Sequence, residues 1–303
     1  MKKINIHFLY MLLATAVFSA CQVEDPMASE QYQKEIYIVG AYNRVSPFEL
    51  PYGDEQEAFV SISASGTKKV DQNVDITLKH DDDIIDWYNK KYMLDAPVKY
   101  RQLDPAYINI PSWTATLKSG ELYTRFPFTI NSASLHCDSL YAISFVVEST
   151  SHYGLKEGGT ELIFTLKLTN DFSGIYQMSA TKIAMEEDPD SGDWTEGSTM
   201  PVNIQRTLTA SSANEVRFFH EKTKETLDEY RNSWDPGKDY FEAIKNFCVK
   251  FVRIGDSNKF TVEPWDEMVI IEGEAEFKDG AFSFWYDYME NSNRYRMKGT
   301  FKE

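Results

Sequence analysis

Cysteine is scarce in this 303-residue chain: only Cys21, Cys137 and Cys248 are present. Three such scattered positions exclude the disulfide framework that staples small exported domains, and Cys137 and Cys248 read as small buried hydrophobes. Histidine is also sparse, with five residues, and none sits in a recognised catalytic pattern. There is no G-x-S-x-G, no H-E-x-x-H, no phosphate-binding glycine loop and no paired C-x-x-C. His136 and Cys137 are adjacent, but neighbours on a strand point to opposite faces, which disfavours a catalytic dyad. Positive charge is in deficit, with 31 Lys and Arg against 47 Asp and Glu and a formal charge of −16. Such a surface repels phosphate backbones, so nucleic-acid binding is excluded. No apolar run reaches the roughly 20 residues of a membrane-spanning helix.

What the chain does have begins at its N-terminus. Lys2 and Lys3 precede a mostly apolar stretch from Ile4 to Val17, and Phe18-Ser19-Ala20-Cys21 closes it. This is built like a bacterial lipoprotein signal peptide, although Phe18 stands where Leu or Val is usual. Residues 1–20 are expected to be removed and Cys21 to carry the lipid, which takes the formal charge from −16 to −18 because only Lys2 and Lys3 leave. Several acyl chains on one cysteine anchor far more firmly than a single chain does. Residues 21–34 then read as a lipidated tether. Glu24-Asp25 resembles a weak form of the acidic signal that sends some Bacteroidetes lipoproteins to the outer face of the outer membrane.

With 42% hydrophobic and 14% aromatic residues, the remaining chain can bury two cores. Val74, Ile76 and Leu78 alternate with polar residues, as do Leu162, Phe164, Leu166 and Leu168, the period of half-buried strands. Seven or so short strands over residues 35–170 suit an immunoglobulin-like sandwich. One helix interrupts them, where Asp81-Asp82-Asp83 precedes Ile84, Tyr88 and Tyr92 at helical spacing and Lys90-Lys91 follows. The aspartates are expected to cap that helix rather than to bind metal. Asn170-Asp171 marks the junction to a second unit, residues 171–303. Its eight alternating runs would close an antiparallel up-and-down barrel, with an Asp-Gly hairpin signal at Lys278-Asp279-Gly280. Residues 221–246 read as a helix or long loop beside the barrel mouth. The expected class is therefore all-β, a sandwich followed by a barrel.

The order of Trp87-Tyr88-Asn89, Tyr107-Ile108-Asn109-Ile110, Ala115 to Gly120 and Tyr141 to Phe145 resembles the N-terminal domain of Bacteroidetes surface lipoproteins encoded with SusC/SusD-type glycan importers. Phe172 to Tyr176 and Tyr295 to Phe301 resemble the calycin-like (lipocalin-like) barrel often fused behind it. The resemblance implies a cell-surface lipoprotein of the outer membrane that binds glycans, host N-glycan-type oligosaccharides among them. An importer and an endo-glycosidase are its implied partners. It supplies no catalytic residue.

Sugar binding asks for an aromatic face beside carboxylates, amides or arginines. Trp194 in Gly192-Asp193-Trp194-Thr195-Glu196, Trp234 in Asn232-Ser233-Trp234-Asp235 and Trp265 in Pro264-Trp265-Asp266-Glu267 lie in polar, loop-like sequence. They are the candidate glycan-binding residues, the alternative being that each folds back onto a core. Trp285, Tyr286 and Tyr288 alternate along a strand, one face of which is expected as barrel lining or core, while Trp87 and Trp113 are assigned to the first core or the domain interface. Asp188 to Asp193 reads as a solvated acidic turn, since it lacks the spacing of a calcium loop. No metal, cofactor or catalytic residue is expected. The competing readings are a structural or adhesin-type lipoprotein that binds protein partners and, behind it, a glycoside hydrolase of unrecognised type, because acids are too numerous for a chance pair to mean anything.

Overall fold

The computed structural model describes residues 29–96, 98–220 and 248–303. The signal peptide, Cys21 and Trp234 lie outside the described residues, as does the whole segment 221–246 expected beside the barrel mouth. Among the described residues no helix is long and apolar enough to cross a membrane.

The first domain is a sandwich of two sheets. One joins β1 (Glu35–Ile38), β3 (Gln56–Ala64), β6 (Ile108–Asn109), β8 (Tyr123–Ile130) and β10 (Gly154–Leu155). The other joins β2 (Val45–Pro51), β4 (Val74–Lys79), β5 (Tyr100–Gln102), β7 (Thr114–Leu117), β9 (Leu140–Thr150) and β11 (Glu161–Thr169). Alternation places Val74, Ile76 and Leu78 inside, in one core with Phe145 and Phe164 of their own sheet and Phe126 and Phe128 of the facing one. Three of these strands, β5, β6 and β10, have only two or three residues. Runs that short carry no periodic signal, so the sequence under-counts them.

Helix α1 (Asp82–Tyr92) forms where its aspartates and lysines suit the dipole, and the Asp81 side chain accepts the Asp83 N–H. Asn89 ties its last turn down, its amide donating to the Tyr100 carbonyl at 2.6 Å and its oxygen accepting the Tyr100 N–H at 3.1 Å. The helix lies on the outside of its sheet. Ile84 and Ile85 face inward, but Trp87 is 38% exposed, which corrects its assignment to a core or interface. Trp113 does pack on the first core.

The second domain is a closed barrel of β12 (Gly174–Glu187), β13 (Trp194–Ser212), β14 (Glu215–Phe219), β15 (Cys248–Arg253), β16 (Lys259–Pro264), β17 (Val269–Lys278), β18 (Ala281–Glu290) and β19 (Asn293–Lys302). β19 closes on β12 from Gln177 opposite Lys302 to Ala184 opposite Tyr295, which leaves no free edge. The closure is tight. A Cβ on Gly299 would stand 2.4 Å from the Ser179 carbonyl oxygen, so only glycine lets the two strands approach there. Lys278-Asp279-Gly280 turns as its sequence suggests, with Asp279 at φ 52 and Gly280 at φ 76.

Inside, Phe218, Phe251, Phe282, Phe284 and Phe301 fill the barrel with ring contacts as close as 4.9 Å. Asn170 joins the two domains, its amide donating to the carbonyls of Ser212 and Glu215 at 2.8 Å each. Phe172 follows and closes that end of the barrel against Phe260 and Phe277.

Candidate functional site

β18 and β19 form a hairpin through Asn291 and Ser292, both at positive φ (48 and 66). Its register sets Trp285 opposite Lys298, Asp287 opposite Arg296 and Met289 opposite Arg294. Because side chains alternate, Phe284, Tyr286 and Tyr288 line the core, whereas Trp285, Asp287, Arg294 and Arg296 stand on the outer face. The expectation that one face of this strand lines the barrel holds: that face carries Tyr286 and Tyr288, and Trp285 is on the other.

Asp287 is the centre of the outer layer. It is fully buried, and its Oδ1 accepts from Arg296 Nε at 2.6 Å while Oδ2 accepts from Arg294 Nε at 3.0 Å and from Arg296 Nη2 at 3.0 Å. A buried carboxylate needs this much compensation to remain charged. The hydrogen bond it donates to Asp287 is the largest effect on Arg296 and holds its guanidinium above the usual arginine range. Glu272 takes Arg294 Nη2 at 2.9 Å, and Glu196 lies 3.6 Å from Arg296 Nη1. Two tryptophans flank the pair. Arg294 sits 5.2 Å from the Trp194 ring centre and Arg296 4.8 Å from that of Trp285, within cation–π range.

Trp194 is the first residue of β13, opposite Glu187, not a loop residue as its polar neighbours suggested. The turn is shorter than its sequence implies because Asp188 closes it. The Asp188 N–H reaches the Asp193 carbonyl at 2.8 Å, and the Asp188 carboxylate accepts the Asp190 N–H at 2.8 Å and thereby stays below the usual carboxylate range. The β ladder therefore runs on to Trp194, a residue that is 37% exposed. A groove of about 480 Å³ opens beside Trp285, between Glu274 and Lys298. The face thus offers two indoles, fixed guanidiniums and carboxylates, a set that stacks on sugar rings and bonds their hydroxyls.

Trp265 is elsewhere. The β12–β13 and β16–β17 connections lie at the same end of the barrel but four strands apart around it. Trp265 packs on Phe219 and Cys248, has Arg217 at 4.8 Å from its ring centre and meets His136 of the first domain edge-on at 6.1 Å. Arg217 is itself clamped by Asp138, with Nη2 to Oδ1 at 2.6 Å and Nη1 on Oδ2. Burial works against that guanidinium's charge, but the Asp138 hydrogen bonds outweigh it and raise its pKa. Trp265 therefore belongs to the domain interface.

His136, Cys137 and Asp138 bring potential ligand atoms within 4.8 Å of one another. Asp138 is committed to Arg217, and burial pushes the Cys137 thiol up to about 12, so the trio does not fit a metal ion. A cleft of about 630 Å³ also follows the junction, but Lys167 pairs with Glu49 there at 2.7 Å and the Asn170 amide is spent on the barrel.

Sequence reading missed Trp285, Asp287, Arg294 and Arg296 as a unit. The signal was present: pairing outward from Asn291-Ser292 aligns Trp285-x-Asp287 with Arg294-x-Arg296-x-Lys298 on one face. Without the barrel's inside and outside assigned, that face cannot be told from the core face.

This geometry defines a two-domain all-β protein whose candidate site is an outer barrel face and not a barrel cavity. Two family models match in tandem, one described as an N-terminal domain over residues 32–154 and one described as its C-terminal counterpart over residues 160–302, so the chain carries that domain pair. No curated protein matches it in sequence. Among solved structures it is similar to a protein of unknown function from Bacteroides ovatus (TM-score 0.61, 13% identity, covering 89% of this chain and 94% of that one). It is also similar to a multidomain protein including DUF1735 from Bacteroides ovatus (0.58, 15%, 86% and 89%). An auxiliary nutrient binding protein from Bacteroides thetaiotaomicron is a third (0.55, 15%, 86% and 91%). At such identities the likeness establishes a shared fold.

Proposed function

We propose that the protein is a non-catalytic, glycan-binding lipoprotein, anchored through Cys21 at the outer-membrane surface and serving a SusC/SusD-type uptake system with an endo-glycosidase as neighbour. The observation that carries this reading is the outer layer in which buried Asp287 fixes Arg294 and Arg296 against the exposed Trp194 and against Trp285. Preformed donors beside an open indole face bind a neutral sugar with little ordering cost. The lipoprotein-like N-terminus, the family resemblance in the sequence, and a fold shared with an auxiliary nutrient binding protein support it. Asp287, Glu272 and Glu196 on the face are engaged by arginines, which suits recognition better than proton transfer. The test is binding of residues 22–303 to a glycan array beside a Trp194→Ala, Trp285→Ala variant. Binding that vanishes in the folded variant is expected, and no binding by either protein sinks the reading.

A protein-partner role is the second reading. It is favoured by an exposed patch on the first domain, where Arg44 and Lys91 sit 4.6 and 4.7 Å from the Trp87 ring centre with Tyr92 beside them. A stable partner lost on Trp87→Ala but retained on Trp194→Ala would favour it.

A further inference from the structure

The two indoles of the barrel face do not stand side by side. β18, β19, β12 and β13 follow one another around the barrel, so Trp285 on β18 and Trp194 on β13 flank the arginines of β19 from opposite sides. Their register separates them lengthwise as well. Trp285 pairs with Lys298 and so lies level with Thr181 on β12, whereas Trp194 lies level with Glu187, about 20 Å further along that strand. Each ring meets its own guanidinium, and Arg294 and Arg296 are themselves about 7 Å apart along β19. One sugar ring therefore cannot stack on both indoles.

The chemistry at the two ends also differs. At the Trp194 end the charges are spent on one another, since Arg294 holds both Asp287 and Glu272. In the groove the indole of Trp285 has Glu274 on one neighbouring strand and Lys298 on the other. Among the described residues neither makes an ion pair, and neither do Lys259 and Glu276 beside them, so the lysines and glutamates balance without being consumed. Ser283 and Thr300 add hydroxyls to the same groove. A balanced set of free donors and acceptors beside an indole matches sugar hydroxyls, which both donate and accept.

We propose that the face binds a neutral linear oligosaccharide lengthwise, one sugar in the groove on Trp285, another on Trp194, and the units between them over Arg296 and Arg294. The inference rests on the glycan-binding reading of this face and adds to it a minimum chain length. Once a chain reaches both indoles the second contact is intramolecular, so affinity rises steeply at that length and levels off beyond it. Separate monosaccharides on the two indoles gain nothing from each other.

Calorimetric titration of residues 22–303 with linear β-1,4-linked oligomers of glucose, mannose and N-acetylglucosamine, from one to six units long, tests it. In a series that binds, affinity should step up by about tenfold or more between the short and the long members, with one hexamer bound per protein. Trp285→Ala and Trp194→Ala, each checked for folding by its thermal transition, should each remove the step and leave the weak binding of short members at the remaining indole. A hexamer no tighter than the monomer, two hexamers per protein, or a step that survives either substitution would overturn the proposal and leave the glycan-binding reading standing. No binding in any of the three series would overturn both.

Discussion

The chain builds the same chemical unit twice, a carboxylate clamped by arginine with a tryptophan laid against the guanidinium, and the two copies have different fates. At the domain interface Asp138, Arg217 and Trp265 are sealed between the sandwich and the barrel, with the ionic side chains only 8% and 4% exposed. On the outer barrel wall Asp287 is buried just as fully, yet Arg294, Arg296 and Trp194 remain open to solvent. A buried ion pair contributes little net stability but imposes a geometry, because losing either partner leaves an uncompensated charge. In the first copy that geometry joins two domains. In the second it holds a surface in a fixed shape.

Breaking each centre gives the largest effects. Asp287→Ala strands two guanidiniums and should cost about 3–5 kcal/mol, read as a lower denaturation midpoint together with loss of glycan binding. Asp138→Ala should cost a similar amount, about 3–5 kcal/mol, but with glycan affinity unchanged and a single thermal transition split into two as the domains uncouple. If both variants changed binding alike, the division between interface and site would be wrong.

The tryptophans sharpen the contrast at smaller cost. Trp194→Ala, on the open face, should weaken glycan binding by about tenfold while moving the melting temperature little, since a surface truncation costs about 0.5 kcal/mol or less. Trp265→Ala should do the reverse, destabilising by about 3 kcal/mol as a packed aromatic is lost and leaving affinity intact; equilibrium unfolding beside titration separates the two.

The smallest effect concerns pH. Burial raises the Cys137 thiol to about 12, against about 8.5 in an unfolded chain. Its contribution to stability is therefore complete below pH 8.5 and is lost as pH rises toward 12, because the unfolded state releases the proton first. Unfolding midpoints at pH 7 and pH 10 should fall less in Cys137→Ala than in the parent. An equal fall in both would show that other alkaline groups, such as buried Tyr52, carry the whole slope.

The helix at Asp82–Tyr92, the Asp279-Gly280 hairpin and the eight runs of the barrel were legible in the sequence, because caps, turn residues and alternation are local signals. The two-residue strands β6 and β10 were not, since pairing with distant strands creates them. For the site, polar neighbours drew attention to Trp194 and, less strongly, to Trp265, which the structure places at the outer barrel face and at the domain interface respectively. Both stand beside acids in sequence, and only the packing of the first domain against β14 and β15 distinguishes them.

The sequence by itself determined which residues alternate, where the chain turns and which aromatics stand among polar neighbours, since these depend on contacts within a few residues. Barrel closure and domain docking decided which alternate face became the outside, which carboxylate was enclosed and which tryptophan stayed open. Those choices depend on the burial of whole surfaces by strands far apart in the chain, and no local pattern encodes them.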